Sequence, residues 1–291
     1  MNSIKINKDV IYNNKITKDI SLLHISDIHF NKDFSDKKFN KIKEEIFKNN
    51  PDYVLITGDT IDESSVIKDK LNIRRLLVFL TDISNRTKII MSLGNHDIFS
   101  NDDYKFFKKI NDLKNIYVLN NDCYVDECVY ISGFTLPNEY YYNITKEESK
   151  ELLLDHLKKY KKLTNNLPVF IPKISLIHSP IKLTELDVLT MLKEYDLLLS
   201  GHTHGGMVPN ILSKFFKRNY GLVAPNKQIF PEVARGKIEK NIGNKKITII
   251  INGGITKLGE RSAKMLKKFN FLFDMEINKI IITNKRGRYY E

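Results

Sequence analysis

Two histidines, His202 and His204, stand two residues apart in the segment Ser-Gly-His-Thr-His-Gly-Gly at residues 200–206. The apolar run at 197–199 comes directly before them and predicts a buried parallel strand. Because residues i and i+2 of an extended chain project to the same side, both imidazoles can face one cleft at the carboxyl edge of a sheet. That arrangement would suit a metal ion. A His-x-His pair is also common in ordinary loops, so the interpretation depends on partners elsewhere in the chain.

Polar clusters of the same kind follow four other apolar runs. They contain Asp27 and His29, then Asp59, then Asn95, His96 and Asp97, then His178. Five of the seven histidines fall in these clusters and in the 200–206 segment. Each cluster alone has an ordinary explanation, since Asp after a strand often caps a helix and Gly-Asn is a common turn. Together they offer carboxylate, imidazole and amide ligands, a set that suits manganese, iron, zinc and similar ions.

The first three clusters each end a predicted strand that leads into a helix. The strands are expected at residues 20–25, 53–57 and 88–93, and the helices at about 36–49, 66–83 and 102–113. Ser35 is the predicted N-cap of the first helix, and Pro51 follows its end. This rhythm is typical of a parallel sheet with helices on its faces.

The rest of the chain is less regular. Strands are also expected at 4–12, 173–177, 247–251, 271–277 and 279–283, and helices at about 146–163 and 185–193. Residues 116–119, 123–125 and 129–133 predict an antiparallel meander. Residues 207–246 show no clear period, and an ordered stretch of this kind inside a domain is usually functional.

Seven of these residues are the candidate ligands: Asp27, His29, Asp59, Asn95, His178, His202 and His204. Seven ligands are more than one metal ion needs, and they match two ions that share a carboxylate. Two such ions hold the attacking and leaving oxygens of an in-line displacement, typically at phosphorus. They also lower the pKa of bound water, so that a metal-bridging hydroxide can serve as the nucleophile. The leaving alkoxide then needs a proton, which a histidine is suited to donate.

The ordered series of motifs resembles the calcineurin-like metallophosphoesterase family. The motifs are Asp27-x-His29, Gly58-Asp59, Gly94-Asn95-His96-Asp97, His178 and Gly201-His202-x-His204. Five motifs in this order make the match far more specific than any one of them. The resemblance implies an α/β fold, a four-layer α/β/β/α sandwich of two mixed sheets flanked by helices, with a dimetal centre at the sheet edge.

The family pattern also implies roles for individual residues. One metal is bound by Asp27, His29, Asp59 and His204, and the other by Asp59, Asn95, His178 and His202, so that Asp59 bridges them. The implied cofactors are two divalent ions, for which this family uses manganese, iron, zinc or nickel. His96 is the implied general acid or transition-state stabiliser, and Asp97 its orienting partner. The complete Gly-His-Thr-His-Gly-Gly motif resembles the small stand-alone bacterial branch of the family.

Four other polar positions receive different interpretations. His24 falls on the opposite side of its strand from Asp27, which predicts a packed core histidine. His156 is predicted to be exposed on a helix, and Asp62 to cap the approach to the next helix rather than to join the Asp59 cluster. The turn at 252–254 either brings backbone N–H groups near the site or is a plain turn.

Composition predicts an ordinary globular protein, with 42% hydrophobic and 28% charged residues among 291. No apolar run approaches the ~18–20 residues that a membrane span needs, and residues 1–20 lack the features of a signal peptide. Cys123 and Cys128 fit neither a disulfide framework nor a four-ligand zinc site, although a bridge across a hairpin stays open, so a cytoplasmic location is expected. We expect one phosphoesterase domain over residues 1–291, with a lid or substrate-side insertion at 207–246.

The net charge of +12 bears on which molecules the protein could bind. A positive field attracts phosphate-bearing substrates, nucleic acid or an anionic membrane, but the scattered lysines also match the residue bias of an AT-rich genome. The densest basic stretch is 257–268. Arg235 and Arg261 are candidates for binding a substrate phosphate, with solvated surface positions as the alternative. Residues 214–218, Lys-Phe-Phe-Lys-Arg, resemble an interfacial membrane patch, with a lid or core contact as the alternative.

These features predict metal-dependent hydrolysis of a small phosphoester, by a phosphodiesterase or a broad phosphohydrolase. A nuclease is the alternative within this class, which the positive charge keeps open although no recognition motif supports it. A non-catalytic scaffold with structural metals is the alternative outside the class, and the complete ligand set with His96 argues against it. No protein partner is evident from the sequence.

Overall fold

The computed structural model describes residues 3–64, 66–141, 145–223, 229–257 and 270–285. Its strands, in chain order, are β1 (Ile4–Tyr12), β2 (Ile20–Ile25), β3 (Tyr53–Thr57), β4 (Lys88–Ser92), β5 (Ile116–Leu119), β6 (Asp122–Val125), β7 (Tyr130–Phe134), β8 (Lys173–Ile177), β9 (Leu197–Ser200), β10 (Gly236–Ile242), β11 (Lys245–Ile251) and β12 (Met275–Thr283). Its helices are α1 (Asp36–Asn49), α2 (Lys70–Ser84), α3 (Asn101–Ile110), α4 (Lys146–Lys159) and α5 (Leu186–Met191).

The strands form two mixed sheets. The first has the order β1-β12-β2-β3-β4-β5, and the second has the order β10-β11-β9-β8-β7-β6. In the first sheet β2, β3, β4 and β5 run parallel, while β12 is antiparallel to β2. In the second sheet β7, β8, β9 and β11 run parallel, with β6 and β10 antiparallel at the edges.

Three apolar layers hold the sheets and helices together. Helices α1, α2 and α3 pack on the outer face of the first sheet, and α4 and α5 pack on the outer face of the second. The third layer lies between the sheets. Neighbouring residues of one strand serve different layers, because Leu198 faces the helices while Leu197 and Leu199 face the other sheet. Both faces of β9 are therefore buried, which explains its unbroken apolar run and confirms the predicted four-layer sandwich.

The first helix forms where its sequence signals place it. The backbone N–H of Lys38 donates to Ser35 Oγ at the N-cap, and Phe39, Ile42 and Ile46 are buried at helical spacing.

The second helix begins later than the periodicity predicts. Residues 66–68 form a separate 3-10 turn, and α2 starts after Asp69, whose carboxylate accepts a bond from the Leu71 N–H (2.8 Å).

The predicted antiparallel meander at 116–133 is wrong in its first strand. β5 pairs in parallel with β4 and belongs to the first sheet, because α3 carries the chain across the sheet as in the preceding βαβ units. Between β5 and β6, Asn121 adopts a left-handed conformation (φ 54°), and the chain passes from one sheet to the other. The β6–β7 hairpin is antiparallel as predicted.

Two further elements differ from the sequence prediction. The two strands expected near the C-terminus are one strand, β12, and Phe271 lies before it in a 3-10 turn. The unpatterned stretch at 207–246 ends in a strand, β10, which pairs with β11 through a tight turn containing Gly243 at φ 58°. Residues 236–246 therefore belong to the second sheet rather than to an insertion.

Within the described residues, no helix is both long and apolar enough to cross a membrane. Cys123 and Cys128 are free thiols, so the hairpin bridge that the sequence left open does not form.

Candidate metal centre

The carboxyl ends of five strands meet where the two sheets face each other. Asp27 and His29 follow β2, Asp59 follows β3, Asn95 and His96 follow β4, His178 follows β8, and His202 and His204 follow β9. Hydrogen bonds from two of the candidate histidines help to join the sheets at this point. The His202 N–H donates to Asp27 Oδ2 (3.0 Å), and His178 Nδ1 donates to the Thr57 carbonyl (2.6 Å). The structure thus brings the candidates of all five motifs into one region, where His96 and His204 alone among them are partly exposed.

Five of the seven predicted ligands have left-handed backbone conformations. The φ angles are 50° at Asp27, 47° at His29, 50° at Asp59, 66° at His202 and 49° at His204. Each such conformation costs a residue with a side chain roughly 1–2 kcal/mol. Strain of this kind persists only where the surrounding structure imposes it, and it is concentrated at functional sites.

One group of ligand atoms contains Asp27, His29 and His204. A ligand atom from each lies within 4.8 Å of the others. The Nε2 atoms of both histidines are 3.8 Å from Asp27 Oδ1, and the two rings stack with their centroids 5.1 Å apart. A cation bound here would contact one carboxylate and two imidazoles.

A second group contains Asp59, His178 and His202, again with ligand atoms within 4.8 Å of one another. His178 Nε2 is 3.1 Å from Asp59 Oδ2. The same carboxylate oxygen is 3.5 Å from His29 Nε2 in the first group. Asp59 therefore lies between the two groups and is within reach of both.

Three histidines are held so that Nε2 faces the site. Nδ1 of His29 is 3.0 Å from Asp62 Oδ1, Nδ1 of His178 donates to Thr57, and Nδ1 of His204 donates to the Thr256 carbonyl (2.7 Å). Metal-binding histidines usually donate their second N–H in this way, which sets the tautomer and the ring orientation. The Nε2 atoms of His29 and His178 are buried and make no hydrogen bond, although Asp59 Oδ2 lies 3.5 and 3.1 Å from them. Buried polar atoms are normally satisfied, so these residues fit a pair of metal ions.

Burial and the nearby charges set the ionisation of the site. Burial lowers the pKa of His202 to about 3 and that of His204 to about 4, so both rings are neutral, as metal ligands must be. Burial opposes the charge on His29 too, but Asp27 and Asp62 raise its pKa to about 10. In the same way Asp59 outweighs burial and raises the pKa of His178 to about 9. The carboxylates of Asp27, Asp59 and Asp62 thus favour positive charge at the site. Without a metal ion, protonated His29 and His178 carry that charge.

Asp62 contacts both His29 of the first group and His96. Its carboxylate bonds His29, and its backbone carbonyl accepts a bond from Nδ1 of His96. The His96 ring stands edge-on to the His29 ring, 4.7 Å between centroids. The sequence prediction of a helix-approach cap missed this role; the available signal was the position of Asp62 three residues after Asp59.

The structure assigns Asp97 a different contact from the predicted one. Its Oδ1 accepts bonds from the N–H groups of Thr60 (2.9 Å) and Ile61 (3.1 Å), and its Oδ2 accepts one from Gly94 N–H (3.0 Å). Asp97 therefore ties the turn after β4 to the turn after β3. The orientation of the His96 ring comes from Asp62, so the orienting role expected of Asp97 is corrected.

Replacing Asp62 with asparagine should weaken metal binding about 10–100-fold, the usual effect of losing such an outer partner. Asparagine keeps the shape but removes the charge that holds His29. Titration of the metal-free variant with Mn²⁺ by calorimetry, compared with the wild type, measures the change. An unchanged affinity would mean that Asp62 does not act on the metal group.

The remaining residues named from the sequence occupy structural positions. His24 is buried and its Nε2 pairs with Thr57 Oγ1 (2.8 Å), as expected for a core histidine. His156 is half-buried rather than exposed, because its ring bonds Asn121 Oδ1 (2.8 Å). Arg235 is half-buried and donates to the Ser213 carbonyl, whereas Arg261 lies outside the described residues, as does most of the basic stretch at 257–268.

One further contact near the site had no signal in the sequence, and another was left open by it. The ring of Tyr141 packs edge-on against His202, 5.1 Å between centroids. The turn at 252–254 packs against the first group, because a Cβ on Gly254 would lie 2.9 Å from Asp27 Cβ. The turn thus supports Asp27, a predicted ligand.

Replacing Gly201 with alanine should lower the free energy of unfolding by about 3 kcal/mol, the upper range for overpacking. A Cβ there would lie 1.7 Å from Ser26 Oγ and 2.5 Å from Asp27 Oδ2. The matched control is Gly243→Ala, where φ is +58° and nothing lies within 4 Å, so only backbone strain of about 1–2 kcal/mol is added. Urea denaturation of both variants tests this, and equal losses would contradict the close packing at Gly201.

Comparison with known proteins agrees with this geometry. The family model for calcineurin-like phosphoesterases matches residues 20–206. An uncharacterised metallophosphoesterase of Helicobacter pylori is 29% identical over 208 residues, which cover 70% of this chain and 50% of the relative. One from Aquifex aeolicus is 25% identical over 236 residues, covering 78% of this chain and 82% of the relative. The chain spans about half the length of the Helicobacter relative.

Two solved structures are similar at low identity. The nuclease MPE of Pseudomonas putida is 12% identical with a TM-score of 0.35, covering 84% of this chain and 80% of that one. A dimetal phosphatase from Danio rerio is 11% identical with a TM-score of 0.41, covering 81% and 87%. Likeness at this level does not extend to substrate or activity. The family model, in contrast, covers well over half of the chain and every candidate from Asp27 to His204, and the chain therefore belongs to the calcineurin-like phosphoesterase family.

Proposed function

We propose that this protein is a dimetal phosphoester hydrolase, and that Asp59 is the ligand shared by both ions. The observation that supports this proposal is the position of Asp59 Oδ2, 3.5 Å from His29 Nε2 and 3.1 Å from His178 Nε2. One carboxylate between two imidazole groups is the arrangement that a bridged pair of cations requires.

The proposed ligands divide between the two groups. Asp27, His29, Asp59 and His204 hold one divalent ion, and Asp59, Asn95, His178 and His202 hold the other. Their oxygen and imidazole atoms suit manganese, iron, zinc or nickel. When bound, the two ions would activate water as the nucleophile and stabilise the charge that develops on the phosphoryl oxygens.

His96 is the proposed proton donor to the leaving group. Its ring is partly exposed and borders the first group through the His29 contact, while its backbone N–H donates to Asp59 Oδ1 (2.9 Å). Because Asp62 engages Nδ1, the proton transfer is assigned to Nε2. Asp97 supports this arrangement indirectly, by fixing the turn that carries His96.

Within this class we propose a phosphodiesterase. A monoester dianion carries one more charge than a diester and gains more from additional cations in the site. Two cations that pack near the last motif are already engaged: Lys257 pairs with Glu276 (3.0 Å), and Arg235 bonds a backbone carbonyl. A monoanionic diester therefore suits this surrounding better than a dianionic monoester.

The expected activity is manganese-dependent hydrolysis of bis-p-nitrophenyl phosphate, faster than that of p-nitrophenyl phosphate. The protein is stripped with a chelator, and Mn²⁺, Fe²⁺, Zn²⁺ or Ni²⁺ is then added back separately. Faster hydrolysis of the monoester would agree with the proposal of a phosphoester hydrolase but would contradict the proposal of a phosphodiesterase. Inactivity of protein that carries two ions, on both compounds, would favour the scaffold interpretation.

A nuclease remains the second candidate because of the net charge of +12. Binding of single-stranded DNA that weakens steeply with salt, together with its cleavage, would support it.

We also propose one phosphoesterase domain whose residues 207–235, beyond the family match, border the substrate side. The free thiols of Cys123 and Cys128 suit a reducing compartment such as the cytoplasm.

A further inference from the structure

Exposed apolar side chains are concentrated in the segment that follows the last motif. Of the sixteen large apolar side chains that are exposed among the described residues, six lie between residues 211 and 230. Phe215 is 84% exposed and Ile211 77% exposed. Scattered surface apolar residues need no explanation, but a local concentration of them marks an interaction surface.

The same segment is purely basic. From Gly205 to Pro231 the sequence contains no aspartate or glutamate, and it contains three lysines and one arginine. Lys214, Lys217 and Arg218 are exposed beside Phe215. A partner of this surface must therefore accept apolar side chains and offer negative charge next to them.

Local hydrogen bonds give the segment a compact shape. Residues 210–212 form a 3-10 turn, and the N–H of Phe215 donates to the Leu212 carbonyl (3.0 Å). Ile211, Leu212 and Phe215 are thereby held within two consecutive turns. Asn210 Oδ1 accepts a bond from the Asp274 N–H (3.4 Å), next to the 3-10 turn that carries Phe271, which is 68% exposed.

The segment is also anchored beside the metal centre. It begins within a few residues of His204, and it returns to the last motif through the Leu222 N–H, which donates to the Gly206 carbonyl (2.7 Å). Gly206 and Gly221 are in such close contact that a Cβ on Gly206 would lie 2.3 Å from Gly221 Cα. A surface bound to this segment would lie close to the site.

We propose that residues 210–218, the docking segment, bind the surface of an anionic lipid bilayer. Apolar side chains flanked by lysine and arginine match the boundary between acyl chains and negative headgroups. The aliphatic side chains of Ile211 and Leu212 fit this boundary better than they fit nucleic acid, which selects aromatic stacking. Unbroken positive charge also disfavours pairing of the segment with a second copy of itself.

The chain has no tryptophan, so Phe215→Trp creates a single fluorescent reporter. Its emission should shift to the blue on mixing with vesicles of seven parts phosphatidylcholine to three parts phosphatidylglycerol, and less with pure phosphatidylcholine. The matched control is Phe170→Trp, because Phe170 is 83% exposed but lies before the amino end of β8, at the opposite edge of the sheet from the metal centre. Equal responses of the two reporters, or none, would overturn the proposal.

A second measurement separates apolar contact from charge. Phe215→Ser should lower binding in vesicle sedimentation about tenfold or more, because serine removes the apolar ring that would be buried in the bilayer. Lys214→Glu with Lys217→Glu should abolish the preference for anionic vesicles. Both positions are exposed, so thermal unfolding should not change. A reporter shift with single-stranded DNA but not with vesicles would overturn the proposal, as would loss of a dimer in Phe215→Ser without loss of vesicle binding.

Discussion

Replacing Asp59 with asparagine should abolish phosphoester hydrolysis while the fold is retained. The carboxylate is buried between His29 and His178, and asparagine keeps its size and the acceptor for the His96 N–H (2.9 Å) but removes its charge. Charge stabilisation by metal ions contributes several kcal/mol to such reactions, and each 1.36 kcal/mol is a factor of ten in rate. We therefore expect kcat to fall at least about 10³-fold.

The accompanying readout is the metal content after loading with Mn²⁺, which should fall by one ion or more per chain. Asp126→Asn is the matched control. Asp126 is also a hydrogen-bonded carboxylate, which accepts bonds from Tyr53 (2.7 Å) and Tyr124 (2.6 Å), but Tyr53 is at the amino end of β3, away from the site. That variant should keep two ions and full turnover. Wild-type activity in Asp59→Asn would reject the shared-ligand proposal.

The convergence of the site could be predicted because it depends on few properties of the chain. Parallel strands flanked by helices place their carboxyl ends at one edge, and the buried runs at β2, β3, β4, β8 and β9 are unambiguous. The carboxylate, imidazole and amide side chains that follow these apolar strands then indicate a metal-binding site. Left-handed φ angles at Asp27 and His204 could not be predicted, because the two sheets impose them by tertiary contact.

The errors have a common origin in contacts between segments that are distant in sequence. The sequence pattern places β5 in an antiparallel meander, because its pairing partner does not follow from its own four residues. None of the residues of strand β10 is fully buried, so the strand lacks a clear apolar pattern. Asp97 and Asp62 both follow strand ends, and only the packing of the turns decides which one reaches His96. The carbonyls of Thr57 and Thr256 orient ligands whatever side chains they carry, so no sequence signal existed for them.

Replacing His96 with asparagine should lower kcat about 10²–10⁴-fold for a diester with an alkyl leaving group, the usual contribution of general acid catalysis. The His96 ring is partly exposed beside His29 of the first group, and its Nδ1 is held by the backbone carbonyl of Asp62. Nitrophenolate leaves without needing a proton as strongly as an alkoxide does. The loss on a p-nitrophenyl diester should therefore be smaller.

The comparison of the two leaving groups decides between two roles for His96. A general acid predicts a larger loss for the alkyl diester, whereas a residue that stabilises charge on the phosphoryl oxygens predicts equal losses. His156→Asn is the matched control, because His156 is a half-buried histidine on α4 that bonds Asn121. The control should match the wild type on both compounds. Unchanged turnover of the alkyl diester by His96→Asn would remove His96 from the reaction, and the leaving group would then have to take its proton from elsewhere in the site.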